Sequence, residues 1–506
     1  ETIAASLQPL TGIQELRIRG QSLRDNDIRR LGAIVSSWTN LQVFDLSGNA
    51  FGVAGLEQLP LNDMHRLKVL DLSRNDFDHA GIECLARKLA VMEGLEELYL
   101  GWCSIGDQGA EILSESLGNL GNLKVLEMQY NWIGNKGADA LARAIGSLTE
   151  LQVLEMGGNN IGDKGAAALA LALVRMTRLE GLHLELNNIG SQGAIALSAS
   201  LSKMTQLQSL QLWNNNIGDE GATALGQAMR SLTEMKDLGL SGNKIGDEGA
   251  VALAPAIGNL TQLQSLQLWN NDIGEKGAAA LGQAMGLLIE MKDLGLGGNE
   301  FREEGAAALA PALGNMTQLK DLDLGENYIG SIGADALAPA LSVMTQLEEL
   351  NLRCNLIDDE GAGVLGSALP RMTQLKKLNL SKNRMADAGA MRICYSLTHL
   401  QELNLSENNI CSCLPLDSDI NLIMDGQSSF DILHDWSAKM HKKDRRRALN
   451  LAYIAAMEYD ENTYKELRSR MLSISRSCNK MCQDTYSLLN DLSEIERSYL
   501  ENECGW

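Results

Sequence analysis

The sequence predicts an α/β horseshoe solenoid of about 15 repeats of 28 residues, with a parallel inner sheet and outer helices, followed by an α-helical C-terminal segment. Three observations carry this. Glycines recur from Gly55 to Gly389, and from Gly81 on every step is 28 residues. Fifteen segments of the form L-x-x-L-x-L-x-x-N-x-I keep the same period, from Ile13, Leu41 and Leu67 to Leu375 and Leu400. An asparagine holds one place in nearly every unit. The step is 26 residues into Leu67 and 25 after Leu375, so the ends are irregular, as terminal repeats usually are. A fixed period of this kind means one supersecondary unit stacked on copies of itself.

Each unit opens with a strand. Leu207, Leu210, Leu212, Asn215 and Ile217 show it, and the alternation of Leu210 and Leu212 sends both to one face. The turn follows, with Asn131, Asn159, Asn187, Asn215, Asn243 and Asn271 in its asparagine column. An inward asparagine can bond backbone groups that would otherwise be buried unpaired, so the column is expected to be structural. Cys103 replaces it once. A helix comes next. Asp107, Asp163, Asp219, Asp247, Asp359 and Asp387 share a column with Asn135 and Ser191, and read as N-caps of that helix. Two residues on stands the glycine, as in Gly221-Ala222, expected to let the helix approach the strand. Leu225, Met229 and Leu232 then close the core at helical spacing.

This unit resembles the ribonuclease-inhibitor class of leucine-rich repeats. Its I-G-D-E-G-A-x-A-L flavour, as at Ile245 to Leu253, is most similar to the repeat regions of nucleotide-binding leucine-rich-repeat (NOD-like) innate receptors. The resemblance covers residues 1 to about 410. It implies a non-enzymatic, cytoplasmic recognition module for signalling in innate immunity, either ligand-sensing or autoinhibitory. Two alternatives stay open: a free-standing inhibitor or scaffold that wraps a basic protein, as ribonuclease inhibitor does, and a GTPase-activating regulator built on a similar repeat. The abundant cysteines of that inhibitor are missing here. No G-x-x-x-x-G-K-[ST] loop occurs, so the receptors' nucleotide-binding module is not in this sequence. Residues 1–12 read as the helix of a repeat whose strand is missing, which suggests a segment of a longer protein. Residues 207–262 and 263–318 are near copies, the mark of a duplicated two-repeat block.

Lys and Arg number 43 against 65 Asp and Glu, a net charge of −22. The segment from Cys411 holds 12 of the bases and 16 of the acids, which leaves −18 on the repeats. Such a surface repels nucleic acid and anionic membranes; it reads first as favouring solubility, and a protein partner with a basic surface is the sharper reading. No apolar run reaches membrane-spanning length. Nine dispersed cysteines argue for a reducing compartment and free thiols. Two glycosylation sequons, at Asn259 and Asn315, are copies of one motif and read as chance.

The exposed strand positions are the candidate site. One column runs Asp45, Asp71, Tyr99, Glu127, Glu155, His183, Gln211, Gly239 and Gln267. Two residues further along, another runs Gly101, Gln129, Gly157, Glu185, Trp213, Ser241 and Trp269. Trp102 and Tyr130 stand just beyond, and Trp132 in the following turn. Aromatic residues are only 4% of the chain, so their convergence here marks candidate binding anchors. The carboxylates belong to a regular ladder without an accompanying nucleophile or cofactor loop, so no catalytic residue, cofactor or metal is assigned.

Residues 1–410 are therefore read as the solenoid and 411–506 as a linker and helical segment, with helical stretches at about 429–441, 444–458, 461–478 and 484–502. The run from Phe430 to Met457 is similar to the last helices of a death domain. Cys411, Cys413, Cys478 and Cys482 with His434 and His441 fit no standard zinc spacing. The basic cluster Lys442, Lys443 and Arg445 to Arg447 reads as a solvated helix start; docking on the acidic horseshoe is the other reading.

Overall fold

In the computed structural model, residues 12–397, 400–410 and 420–424 are described. They form one parallel sheet of sixteen strands in chain order. The strands are β1 (Glu15–Arg17), β2 (Val43–Asp45), β3 (Val69–Asp71), β4 (Glu97–Tyr99), β5 (Val125–Glu127), β6 (Val153–Glu155), β7 (Gly181–His183) and β8 (Ser209–Gln211), then β9 (Asp237–Gly239), β10 (Ser265–Gln267), β11 (Asp293–Gly295), β12 (Asp321–Asp323), β13 (Glu349–Asn351), β14 (Lys377–Asn379), β15 (Glu402–Asn404) and β16 (Asn421–Ile423). From β3 to β14 each residue pairs with the one 28 positions on, as Leu210 does with Leu238. Fourteen α-helices cover the other side of the core. Leu207, Leu210, Leu212, Ile217, Leu225, Met229 and Leu232 are all buried between strand and helix, as the periodicity predicts.

The sheet runs past residue 410. β16 pairs in parallel with β15, Glu402 opposite Asn421, inside the stretch read as linker. The N-terminal helix, the four later helices, the death-domain likeness, the cysteines from Cys411 on and the basic cluster all lie outside the described residues. The four described cysteines, Cys84, Cys103, Cys354 and Cys394, are free thiols.

The asparagines stitch repeats together. Asn243 Nδ2 donates to the carbonyls of Leu212 at 2.9 Å and Leu240 at 3.0 Å, one in the preceding repeat and one in its own. Asn271 Oδ1 in turn accepts from the amides of Asn243 at 2.9 Å and Ile245 at 3.0 Å. Cys103 keeps part of this role by donating its thiol to the Leu72 carbonyl at 3.3 Å, and burial pushes that thiol up to about 12.

Two sequence expectations need correction. Asp107, Asp163, Asp219, Asp247 and Asp359 cap the helix of the next repeat, not their own, and Ser191 Oγ donates to the Ile217 carbonyl instead. Asp107 Oδ1 accepts from the amides of Gly134 at 2.7 Å and Gly137 at 2.8 Å, at the start of the next repeat's helix, Asn135–Ile145. Asn135, Asp163, Asp219, Asp247 and Asp359 do the same one repeat on. Adjacent helices lie side by side, so a carboxylate in one first turn reaches the orphan amides of the next. The glycine column serves the same contact. A Cβ on Gly137 would sit 2.7 Å from Asp107 Oδ1 and 3.0 Å from Asp107 Cα, so the close approach is helix to preceding helix rather than helix to strand.

Candidate functional site on the concave face

Strand register lines up the concave side chains. Asp71, Tyr99, Glu127, Glu155, His183, Gln211 and Gly239 stand opposite one another on β3 to β9. Neighbouring strands lie about 4.8 Å apart, so each of these groups is within reach of the next. Backbone bonds from Leu212 to Gly239 and from Asn214 to Ser241 carry the pairing further, which keeps Trp213 and Ser241 abreast beyond the strand ends.

The row is densely bonded at its centre. His183 Nδ1 meets Glu155 at 3.1 Å and its Nε2 meets Ser209 Oγ at 3.1 Å. The Tyr99 hydroxyl donates to Glu97 at 2.7 Å, and Gln129 Nε2 donates to Glu127 at 3.0 Å. Burial, opposed in part by that bond and reinforced by the charge of Glu155, pushes Glu127 up to about 6. Burial likewise raises Glu185. It pulls His183 down, but the bond to Glu155 and the charges of Glu155, Glu185 and Asp237 outweigh it, so the imidazole sits above its ordinary value. Glu185 lies folded over Gly157, in space that any side chain there would fill. Its Oε2 and the Oε1 of Gln129 are buried without a partner. These are acceptors turned away from water at an energetic cost.

Trp102 and Tyr130 stack with ring centroids 4.2 Å apart and an interplanar angle of 19°. Tyr130 spreads over Gly158, where a Cβ would collide with the ring. Trp102, Tyr130 and Trp132 have φ of +61°, +56° and +57°, a left-handed conformation that is costly for bulky residues. Gly158, Gly242 and Gly298 hold the equivalent place of Trp102 and Tyr130 in other repeats at little cost. The conformation belongs to the turn of every repeat, since Arg74, Leu186, Glu326 and Cys354 adopt it at the same place, so what sets Trp102 and Tyr130 apart is their aromatic side chains and their stacking. Trp102 is 50% exposed and Trp132 71% exposed. Trp102 also borders a surface depression of about 840 Å³ lined by Phe51, Arg74 and Asp76.

The candidate residues fall into two clusters. Tyr99, Trp102, Glu127, Tyr130, Trp132, Glu155, His183 and Glu185 gather around β4 to β7, with Trp132 turned out into the loop. Trp213 and Trp269 lie further along, Trp213 at β8, the neighbour of β7, and Trp269 at β10, four and six strand steps from β4, or about 19 and 29 Å. Sequence reading passed over the first position of each strand. There Asp237, Ser265, Asp293, Asp321 and Glu349 form a further row. Burial and the neighbouring charges of Asp293, Glu349 and Asp323 push Asp321 up to about 6. The signal was present, since first positions obey the same period. Among the described residues, no group of three or more His, Cys, Asp or Glu side chains could hold a metal ion, and no helix is long and apolar enough to cross a membrane.

Short parallel strands, outer helices and a side-chain-rich concave sheet define a repeat scaffold of the protein-interaction class. The Leucine Rich repeat model matches residues 39–59, 64–86, 95–114, 122–142, 147–170, 177–198, 203–226, 232–254, 259–282, 315–338 and 343–366, and a two-copy Leucine Rich repeats model matches 373–418. Together these span more than half of the chain, which belongs to the leucine-rich-repeat family. A leucine-rich-repeat protein of Leptospira interrogans is similar, with TM-score 0.51 and 17% identity over 78% of this chain and 96% of that one. An internalin of Listeria monocytogenes overlays with TM-score 0.47 and 21% identity over 84% of this chain and 89% of that one. At such identity the Leptospira likeness shows the fold alone. No curated protein matches.

Proposed function

We propose that this chain is a non-enzymatic recognition module whose concave face docks a protein with a basic surface. The observation that carries the reading is the row Tyr99, Glu127, Glu155 and His183, in register beside the stacked Trp102 and Tyr130. Aromatic faces supply anchors, and carboxylates raised by burial gain from a cation that restores their charge balance. Trp213 and Trp269 extend the face towards β10. The I-G-D-E-G-A flavour of the repeats supports a ligand-sensing or autoinhibitory role in an innate-immune-type receptor. The four free thiols support a cytoplasmic setting.

The test is kinetic. A partner is recovered by affinity capture and measured by surface binding against variants. Trp102→Ala should raise the off-rate about tenfold or more, as loss of a buried anchor does. Unchanged kinetics for Trp102→Ala, Tyr130→Ala and Trp213→Ala together would remove the concave face from consideration.

A further inference from the structure

The two tryptophans left out of the β4–β7 cluster sit in a repeating frame of their own. Trp213 lies across β9, its Cδ1 3.1 Å from where a Cβ on Gly239 would be. Trp269 lies across β11 in the same way, its Cδ1 3.2 Å from the Cβ place of Gly295. Glycine at both places leaves room that is shared: Gln211 Oε1 and Gln267 Oε1 come nearest to the two Cβ positions, with the edge of the indole beside them. Trp269 is 38% exposed, and Ser241 between the two is fully buried with an unpartnered Oγ. On the other side of the floor run Asp237, Asp293 and Asp321, four residues back along the strands, or about 13 Å from the tryptophan row. The result is an aromatic wall and an acidic wall, with the side chains of Gln211 and Gln267 between them. The duplicated two-repeat block gives both walls the same period: Trp213 to Trp269 and Asp237 to Asp293 are each two strands, or about 9.4–9.8 Å.

Few peptide conformations repeat at that distance. An extended strand returns to the same face every ~6.6 Å, and two turns of α-helix advance about 10.8 Å. Polyproline II completes one turn of three residues in about 9.3 Å, and its bare, preformed backbone docks on aromatic-lined surfaces.

We propose that β8 to β12 bind an extended polyproline-II segment of a partner protein. Prolines at every third position stack on Trp213 and Trp269, and arginines or lysines between them face Asp237, Asp293 and Asp321. This deepens the docking reading above, on which it rests, by naming the partner's chemistry. Gln211 Nε2 already bonds Asp237 at 2.7 Å, and burial raises Asp293, so the acidic wall is partly dehydrated and gains from a cation.

The test uses the full chain and two labelled 12-residue peptides of one composition. One repeats Pro-Arg-Ala four times; the other has the same residues reordered so that no two prolines stand three apart. Fluorescence anisotropy should show the regular peptide binding about tenfold tighter or more. Trp213→Ala and Trp269→Ala should each weaken it about tenfold while leaving the melting temperature within a few degrees. Asp237→Asn with Asp293→Asn should weaken both peptides and flatten the salt dependence. Equal affinity for the two peptides, or indifference of the regular one to both tryptophan variants, overturns the assignment. If neither peptide binds while a basic protein partner still loses affinity with Trp102→Ala, the polyproline assignment falls and the docking face stands.

Discussion

The asparagine ladder within the turns and the side-chain rows on the concave sheet share one 28-residue period, yet they treat polar atoms in opposite ways. Inside, Asn131 Oδ1 takes two amides and its Nδ2 gives to Leu100 and Met128. On the concave sheet, Glu185 and Gln129 keep buried acceptors bare, and Glu127 and Asp321 are pushed up to about 6. The contrast has local exceptions: Asn75 and Asn327 each retain one unpartnered Oδ1. A repeat makes its cement by satisfying most copies in the same way. The proposed binding face instead varies what each copy leaves unsatisfied.

Breaking the ladder should cost most. Asn243→Ala removes the donors to Leu212 and Leu240 and should destabilise by about 1–3 kcal/mol, the range for buried groups left unpaired. Gln264→Ala, whose side chain meets only Lys292 at the surface, should stay within about 0.5 kcal/mol. Urea unfolding of the two variants is the check, and equal midpoints would end the distinction between cement and surface.

Next in size is the cap between repeats. Asp107→Ala should cost on the order of 1 kcal/mol, the usual value of an N-cap. Hydrogen exchange should place the loss at Gly134 and Gly137, in the following repeat. Faster exchange at Gly109 instead would return the aspartate to its own helix.

The smallest effect belongs to the concave row. Glu127 has a raised folded-state value, so the proton it holds favours the native state. That contribution is complete below about 4.5 and lost as pH rises through about 6. Glu127→Gln should therefore remove about 1 kcal/mol or less of pH dependence across this window, allowing for partial exposure of the group. Thermal melts of variant and parent at pH 4 and pH 7.5 should diverge in that sense; parallel shifts would show that the carboxyl is not raised.

The stack, its period and the parallel sheet were legible because every unit repeats the same leucines and asparagine, and agreement among copies replaces an alignment. The destination of the aspartates was not legible. Capping rules describe one helix, and Asp107 bonds a helix that begins 28 residues later. Contact of the glycines with the preceding helix was hidden for the same reason. On the concave face, Trp102 and Tyr130 were readable as neighbours by register, but the left-handed turn that every repeat shares and the room that Gly158 leaves for the Tyr130 ring were not. The first-position acids shared the period, but their partial burial and mutual charge depend on neighbouring strands and could not be read from one repeat.

The proposed function has unsatisfied concave groups awaiting a cationic protein surface. Its most direct test is the association rate of a captured partner as a function of salt, measured for the parent chain and for Glu127→Gln with Glu155→Gln. The account predicts slower association at low salt and a flatter salt dependence for the double variant, with little change in off-rate. Identical association rates and identical salt slopes for the two proteins would contradict it.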